Sequence, residues 1–483
     1  MRPFRLDVSR ADLPLLATGA VLTVLAALAS LRIGGTESVG VLLGVMFFFF
    51  AVAGFIAFPH ITVAAMIPIF ALIPAIKVLA VPWIGPAKDA LTLAGITAAA
   101  VLIVQRAGEG HRQPGDFWAG AMVIFLIGLY FLNLGGHLQR DVAWTQGVRL
   151  ISEPLLLLVV GFVIPQPRRV LRWATVSLVL TGVFVAFVGI AQQVIGEQRL
   201  IELGYSYTIQ VRSIGDHLRS FGTMDEAFAY AAFLLLALVA LLVGMRRTIP
   251  AFIAGVIVVL GVTFSYVRTA LVIGIALLGL WLWRSQRPTI AAFLLLVAVT
   301  AAGAILVWSS GGTETRTVRA GPSLFLTING RTKGWKVVLD SPRTWAVGKG
   351  VGKVGVAAER ATYSVSRRER KQSDVSAVDS GYFALIADVG FIGLVAFFAL
   401  VGRLFALAKH AVDRGYQEGW LAIGFLTVIL LDAVTRDSFT GFPTAFLGML
   451  LIGVSLAAAR EAEETDGQPA ALDRPPVART ARA

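Results

Sequence analysis

Three arginines carry the clearest chemistry in this chain: Arg219, Arg268 and Arg331. A guanidinium is planar, permanently charged and bidentate toward phosphate. Several of them meeting in a low-dielectric pocket could grip a diphosphate and take up the charge that grows on it as an ester bond breaks. Lys333, two residues after Arg331, adds a weaker point charge. No acidic cluster shows metal-ligand spacing, so neither a metal nor another cofactor is expected, and the arginines would do the work that Mg²⁺ does elsewhere. His217, two residues before Arg219, is a candidate base; a lone histidine in a loop is otherwise simply hydrated.

The surroundings of these residues sharpen the reading. The apolar stretch 250–283 breaks at Phe264-Ser265-Tyr266-Val267-Arg268-Thr269. Two halves of about 16 residues rise only ~24 Å at the helical pitch, against a hydrocarbon core of ~30 Å. The tip, and Arg268 with it, then lies at or below the headgroups, where a charge needs an anion or a polar cavity. A snorkelling arginine that holds a lipid phosphate is the alternative. Arg331 and Trp335 are four apart and share a helix face, continued by Val338 and Leu339 and ended by Pro342. The same stripe suits an interfacial amphipathic helix anchored by Trp335. Asp388 falls inside an apolar run and needs a cation or a backbone partner there. Arg149, near the outer end of another run, could face the same cavity. Lys88 and Asp89 read as a local pair or two hydrated charges. The glycines at 348–355 do not make a phosphate loop, because Lys353 precedes Val354 and no strand–helix context exists; they predict a tight turn after Pro342.

The elements that must position these groups are membrane spans. Of 483 residues, 57% are hydrophobic and 15% charged, with mean hydropathy +0.78. A soluble core has no use for so much apolar surface. The net charge of +13 would suggest nucleic acid in a soluble protein, but here it must first be divided between membrane faces, and no nucleic-acid partner is expected. There is no cysteine, hence no disulfide and no thiolate chemistry. About fourteen apolar runs predict an all-α polytopic membrane protein: 13–31, 39–58, 61–81, 90–105, 117–134, 148–164, 171–191, 226–244, 250–265, 268–283, 289–308, 381–402, 419–434 and 440–459. With the N-terminus inside, the short inner loops carry Arg106 and Arg112, Arg168 and Arg169, Arg246 and Arg247, Arg284 and Arg287, Arg403 and Lys409, which is the positive-inside bias. Both termini are then cytoplasmic.

This divides the chain into N-terminal spans (1–191), a first periplasmic loop (192–225), central spans (226–309), a large partly helical periplasmic loop (310–380), C-terminal spans (381–459) and a disordered cytoplasmic tail (460–483). The loop 310–380 holds 13 Lys or Arg against 6 Asp or Glu. Long loops escape the charge rule, so the excess is permitted there; it also suits an anionic partner.

Four local patterns occur in order: Arg219-Ser220-Phe221-Gly222-Thr223-Met224-Asp225-Glu226; Ser265-Tyr266-Val267-Arg268-Thr269; Asn329-Gly330-Arg331-Thr332-Lys333-Gly334-Trp335 followed by Gly348-Lys349-Gly350-Val351-Gly352; and Asp379-Ser380-Gly381-Tyr382-Phe383 followed by Asp388-Val389-Gly390-Phe391. Together they resemble the O-antigen ligase and Wzy-type polysaccharide polymerase family of bacterial inner membranes, over about residues 190–400. The resemblance implies a metal-independent glycosyltransferase of the all-helical membrane class (GT-C-like). Such an enzyme moves a glycan from a polyprenyl diphosphate to an acceptor hydroxyl on the periplasmic face. Ligases of the family carry His-Asn where this chain has Asp379-Ser380, so the resemblance favours a polymerase and makes Asp379 the counterpart of the catalytic position. Asp379 equally suits an N-cap for the span that follows.

The leading expectation is therefore a polymerase of lipid-diphosphate-linked repeat units, with Arg219, Arg268, Arg331 and Lys333 on the diphosphate and Asp379 or His217 as the base. Arg149, Trp335 and Asp388 are further candidates for substrate contact. A ligase acting on lipid A core or protein, and a flippase without bond chemistry, are the alternatives. The partners expected are the polyprenyl-diphosphate-linked glycan and the bilayer, with a chain-length regulator and a flippase as candidate protein partners.

Overall fold

The computed structural model describes residues 36–81, 84–108, 116–138, 140–206, 210–214, 217–245, 248–284, 345–355 and 380–466, with residues 335, 338, 357 and 358. Thirteen α-helices lie among them. They are α1 (Thr36–Ala57), α2 (Pro59–Leu79), α3 (Pro86–Gly108), α4 (Phe117–Leu132), α5 (Val142–Val163), α6 (Pro167–Ile195), α7 (Glu197–Glu202), α8 (Ala227–Val239), α9 (Ile249–Phe264), α10 (Arg268–Arg284), α11 (Gly381–Asp413), α12 (Gln417–Asp432) and α13 (Thr444–Asp466). The only strands among the described residues are β1 (Ser213–Ile214) and β2 (His217–Leu218), paired antiparallel.

Among the described residues, eight segments are long and apolar enough to cross a bilayer: α2 to α6, α8 with the π-turn that extends it to Gly244, α11 and α13. Gly44–Ala57 of α1, Ile249–Phe264 (α9) and Arg268–Trp281 of α10 are shorter apolar stretches. The chain is thus an all-α, multi-pass membrane protein. The expected runs 13–31 and 289–308 lie outside the described residues.

Local sequence sets the helix starts. The Asp116 and Asp141 side chains accept from the Ala119 and Trp144 N–H groups and cap α4 and α5. Thr248 does the same for α9. Packing decides which helices sit inside. α8 is buried on every side, as a uniformly apolar helix must be. α4 exposes Phe117, Trp118, Ile124, Phe125 and Phe131, the surface of a helix that faces lipid. α13 packs along α5 and touches backbone to backbone: a Cβ at Gly161 would overlap Leu450 O, and one at Gly453 would overlap Leu158 O.

The two ends of the bundle differ. At one end lie ion pairs between helix termini: Arg403 with Asp116, Arg168 with Glu418, and His410 and Arg414 with Glu463. At the other end gather the connections 80–85, 133–141, 196–226, 265–267 and 433–443, together with segment 345–355. Lys353–Asp141, Arg436–Glu226 and Lys88 over Phe442 stitch them together.

Several helices depart from the sequence expectation. α13 continues to Asp466, past the expected tail start at Arg460, and Arg460 pairs with Glu464 one turn on. α11 is broken at Gly390, whose φ of 75° departs from the helix.

Candidate functional site at the loop end of the bundle

The short hairpin α9–α10 turns through Ser265 and Tyr266, with Tyr266 in the left-handed region (φ 51°). Both side chains are buried. Loop 196–226 lies over this tip and is held there by α6. The Gln192 amide oxygen accepts the N–H groups of Phe221 and Gly222, and its nitrogen donates to Gly222 O at 2.8 Å. Gln193 donates to Leu218 O and to the Ser220 hydroxyl. A small core of Leu200, Tyr205, Val211, Leu218 and Phe221 stiffens the loop from within.

Its last stretch delivers two of the candidate residues. The Ser220 N–H donates to Phe264 O at 2.9 Å. The Arg219 Nε donates to Ser265 O at 3.3 Å, and its guanidinium carbon lies 4.7 Å over the Phe228 ring. Arg219 is only 3% exposed. The exposed His217 ring stacks on Tyr266 at 5.6 Å with an 11° interplanar angle. Burial pushes the Tyr266 phenol above its ordinary pKa, so it stays protonated at neutral pH. Arg268, half-buried, begins α10 two residues later. The tip therefore brings together Arg219, His217 and Arg268, from the first and second motifs.

Arg331, Lys333 and Asp379 lie outside the described residues. Their neighbours are placed. Trp335 stacks on Phe383 in the first turn of α11, with centroids 5.1 Å apart. That contact joins the third motif to the fourth. Ser380, next to Asp379, is buried; its hydroxyl donates to Ala433 O, and the Gly381 N–H lies 2.8 Å from both Ala433 O and Arg436 O.

Arg436 was not singled out in the sequence. Its guanidinium lies 2.7 Å from Glu226 and 3.8 Å from Asp432. Glu226 closes the first motif, two residues before the Phe228 that carries Arg219. The signal available was a charged pair, Arg436-Asp437, in the short connection between two apolar runs. Arg219, Phe228, Glu226, Arg436, Gly381, Phe383 and Trp335 thus form one continuous path along the loop end of the bundle.

Two other candidates sit in different settings. Arg149 is ion-paired with Asp89 and, at 2.9 Å, with Glu153; this ties α5 to α3. Lys88 lies 3.2 Å from Asp89 and also over the rings of Phe442 and Phe446. The Asp388 carboxylate accepts the Gly352 N–H at 3.1 Å and the Tyr130 hydroxyl.

The partner of Asp388 belongs to the glycine-rich segment, which does more than turn. Gly348, Gly350, Gly352 and Gly355 all have positive φ. The Val351 N–H donates to the Asn133 Oδ1 at 2.8 Å, Lys349 N–H to Ala387 O, and Phe391 N–H to Trp345 O. The break in α11 at Gly390 opens the room: a Cβ there would overlap the Ala346 carbonyl. Segment 345–355 is a strap wedged between the α4–α5 connection and the broken α11. The N–H groups of Lys349, Val351, Gly352 and Lys353 go to protein acceptors. Lys353 anchors its end to Asp141 at 3.1 Å. Burial pushes the Asp141 pKa up, but the Trp144 N–H and Lys353 outweigh it and hold the carboxyl below its usual range.

The arrangement can bind an anion between guanidinium groups, close to carboxylates able to orient a hydroxyl. Among the described residues, no group of three or more His, Asp or Glu is placed to hold a metal ion. The chain matches no protein-family profile and no curated protein.

Proposed function

We propose that this chain is a membrane glycosyltransferase that joins polyprenyl-diphosphate-linked repeat units into a surface or exported polysaccharide. It would work on the periplasmic face of a bacterial inner membrane, with both termini in the cytoplasm. One observation carries this reading: Arg219 is buried against the tip of a short apolar hairpin whose second helix begins with Arg268. Two guanidinium groups are thereby delivered to one hairpin tip, and planar, permanently charged, bidentate groups are the ones suited to a diphosphate.

In the proposed reaction the acceptor hydroxyl oxygen bonds to the anomeric carbon. The bond from that carbon to the diphosphate oxygen breaks, and the electron pair leaves with the polyprenyl diphosphate. Arg219, Arg268 and Arg331, with Lys333, stabilise the departing charge. Asp379 receives or orients the hydroxyl proton.

The test is reconstitution. Purified protein given only lipid-diphosphate repeat units should lengthen the glycan. A need for a separate acceptor would make it a ligase. Movement of the carrier across the bilayer without new bonds would make it a transporter and overturn the proposal.

A further inference from the structure

We propose that Arg436 is a further diphosphate-binding residue of this site, linked to Arg219 through Glu226 and Phe228 at the start of α8. The inference rests on the reading of the site as a diphosphate site and adds a group that none of the four motifs contains.

Three observations support it. First, the Arg436 guanidinium is ion-paired but keeps one donor unmet. Its Nη2 lies 2.7 Å from Glu226, but its Nη1 stands 3.8 Å from Asp432, beyond hydrogen-bond reach. The Asp432 Oδ2 already accepts the Ser438 hydroxyl. Nη1 is buried and finds no hydrogen-bond partner among the described residues. A buried N–H of a charged group without an acceptor is expensive, and a phosphate oxygen would satisfy it.

Second, the side chain is held from both ends. Its backbone carbonyl takes the Gly381 N–H at 2.8 Å, so it is rooted at the first residue of α11. Its head is fixed by Glu226, two residues before the ring on which Arg219 lies. A guanidinium with both root and head fixed is already organised to receive an anion.

Third, the position suits the chemistry. Arg219 and Arg268 come from the first loop and the hairpin tip, and Arg436 comes from the α12–α13 connection, brought to the start of α8 by Glu226. A diphosphate has two phosphoryl groups, and guanidinium groups from separate connections can each take one in bidentate fashion.

The test is direct binding, measured by native mass spectrometry on the full chain in nanodiscs. Undecaprenyl diphosphate and undecaprenyl monophosphate are the probes. Arg436→Lys keeps the charge and the reach to Glu226 but loses the planar fork. It should weaken diphosphate binding at least tenfold, weaken monophosphate binding less, and leave the melting temperature unchanged. Arg436→Gln should weaken it further. Diphosphate binding within twofold of wild type in Arg436→Lys would overturn the inference. So would a collapse of the fold in both variants, since Arg436 would then be structural. Arg268→Ala separates the two readings. If wild type binds the diphosphate and Arg268→Ala does not, while Arg436→Lys does, only the Arg436 inference fails. If wild type does not bind the diphosphate, the proposed function fails with it.

Discussion

The Nε of Arg219 lies 3.3 Å from the carbonyl oxygen of Ser265, so a residue of the first long loop is bonded directly to the tip of the α9–α10 hairpin. This contact places Arg219 against Ser265, three positions before Arg268, although the two arginines are 49 positions apart in the chain. It also means that Arg219 serves structure and chemistry together. Arg219→Ala should lower the melting temperature in detergent, at a cost of about 1–3 kcal/mol, and abolish glycan extension. Arg219→Lys should fold but extend glycan roughly a hundredfold more slowly, the scale of losing one aligned donor. Wild-type extension by the lysine variant would leave Arg219 a purely structural group.

Arg268 starts a helix and is half-buried, and among the described residues none is hydrogen-bonded to its side chain. Arg268→Ala should therefore leave the melting temperature near that of wild type and eliminate extension. Arg268→Lys should also fail, because the bidentate geometry goes. A lysine that restores activity would favour the snorkelling role, since any long cation can hold a lipid phosphate at the interface.

His217 is exposed and lies flat on Tyr266. A general base lost from this position would cost roughly 10²–10⁴-fold in turnover. His217→Phe keeps the stacking and removes the proton chemistry, and it should retain extension within about tenfold, outside that range. A larger loss at saturating carrier would assign the base to His217 rather than to Asp379. Asp379→Asn, in turn, should lower turnover more than carrier binding; turnover equal to wild type would remove Asp379 from the chemistry. The helix-capping alternative expected for Asp379 does not hold, because the N-cap of α11 is Ser380.

The strap 345–355 depends on the break in α11. At Gly390 the backbone has φ 75°, and an added Cβ would overlap the Ala346 carbonyl. Gly390→Ala should destabilise the protein by on the order of 3 kcal/mol or more. Asn133→Ala, which strands the Val351 N–H, should cost about 1–3 kcal/mol. Thermal unfolding in detergent reads both. An unchanged melting temperature in Gly390→Ala would show that the strap does not hold the fold at this point.

The opposite end of the bundle offers a pH test. The hydrogen bond from Arg403 holds the Asp116 carboxyl below its ordinary range, against a smaller opposing effect of burial. A depressed folded pKa contributes stability that is present above the unfolded value of about 3.9 and is lost as pH falls through the folded value. Asp116→Asn should therefore destabilise the protein at neutral pH and cease to matter in strong acid. Arg403 is 37% exposed, so solvent screening keeps the effect to about 1 kcal/mol or less. A difference between the two proteins that grows as the pH falls would contradict the pairing.

The sequence by itself determined the class of fold, the positions of the long apolar helices and the break at 264–269. Each of these depends on a local property: a run of apolar residues long enough to cross hydrocarbon, or a cluster of polar residues that interrupts one. The same local reading found Arg219, Arg268 and His217, because charges next to apolar runs stand out. It also read the glycines at 348–355 as turn-formers from backbone freedom. Only the tertiary structure decided where that segment goes. The Val351–Asn133 bond spans 218 positions, and no periodicity in one chain reports a contact of that range. Arg436 escaped for the same reason: its chemistry comes from Glu226 and Gly381, brought to it by packing among α8, α11 and α12. The interior of a membrane bundle is chosen by which apolar faces fit one another, and hydropathy, nearly equal on all of them, does not encode that choice.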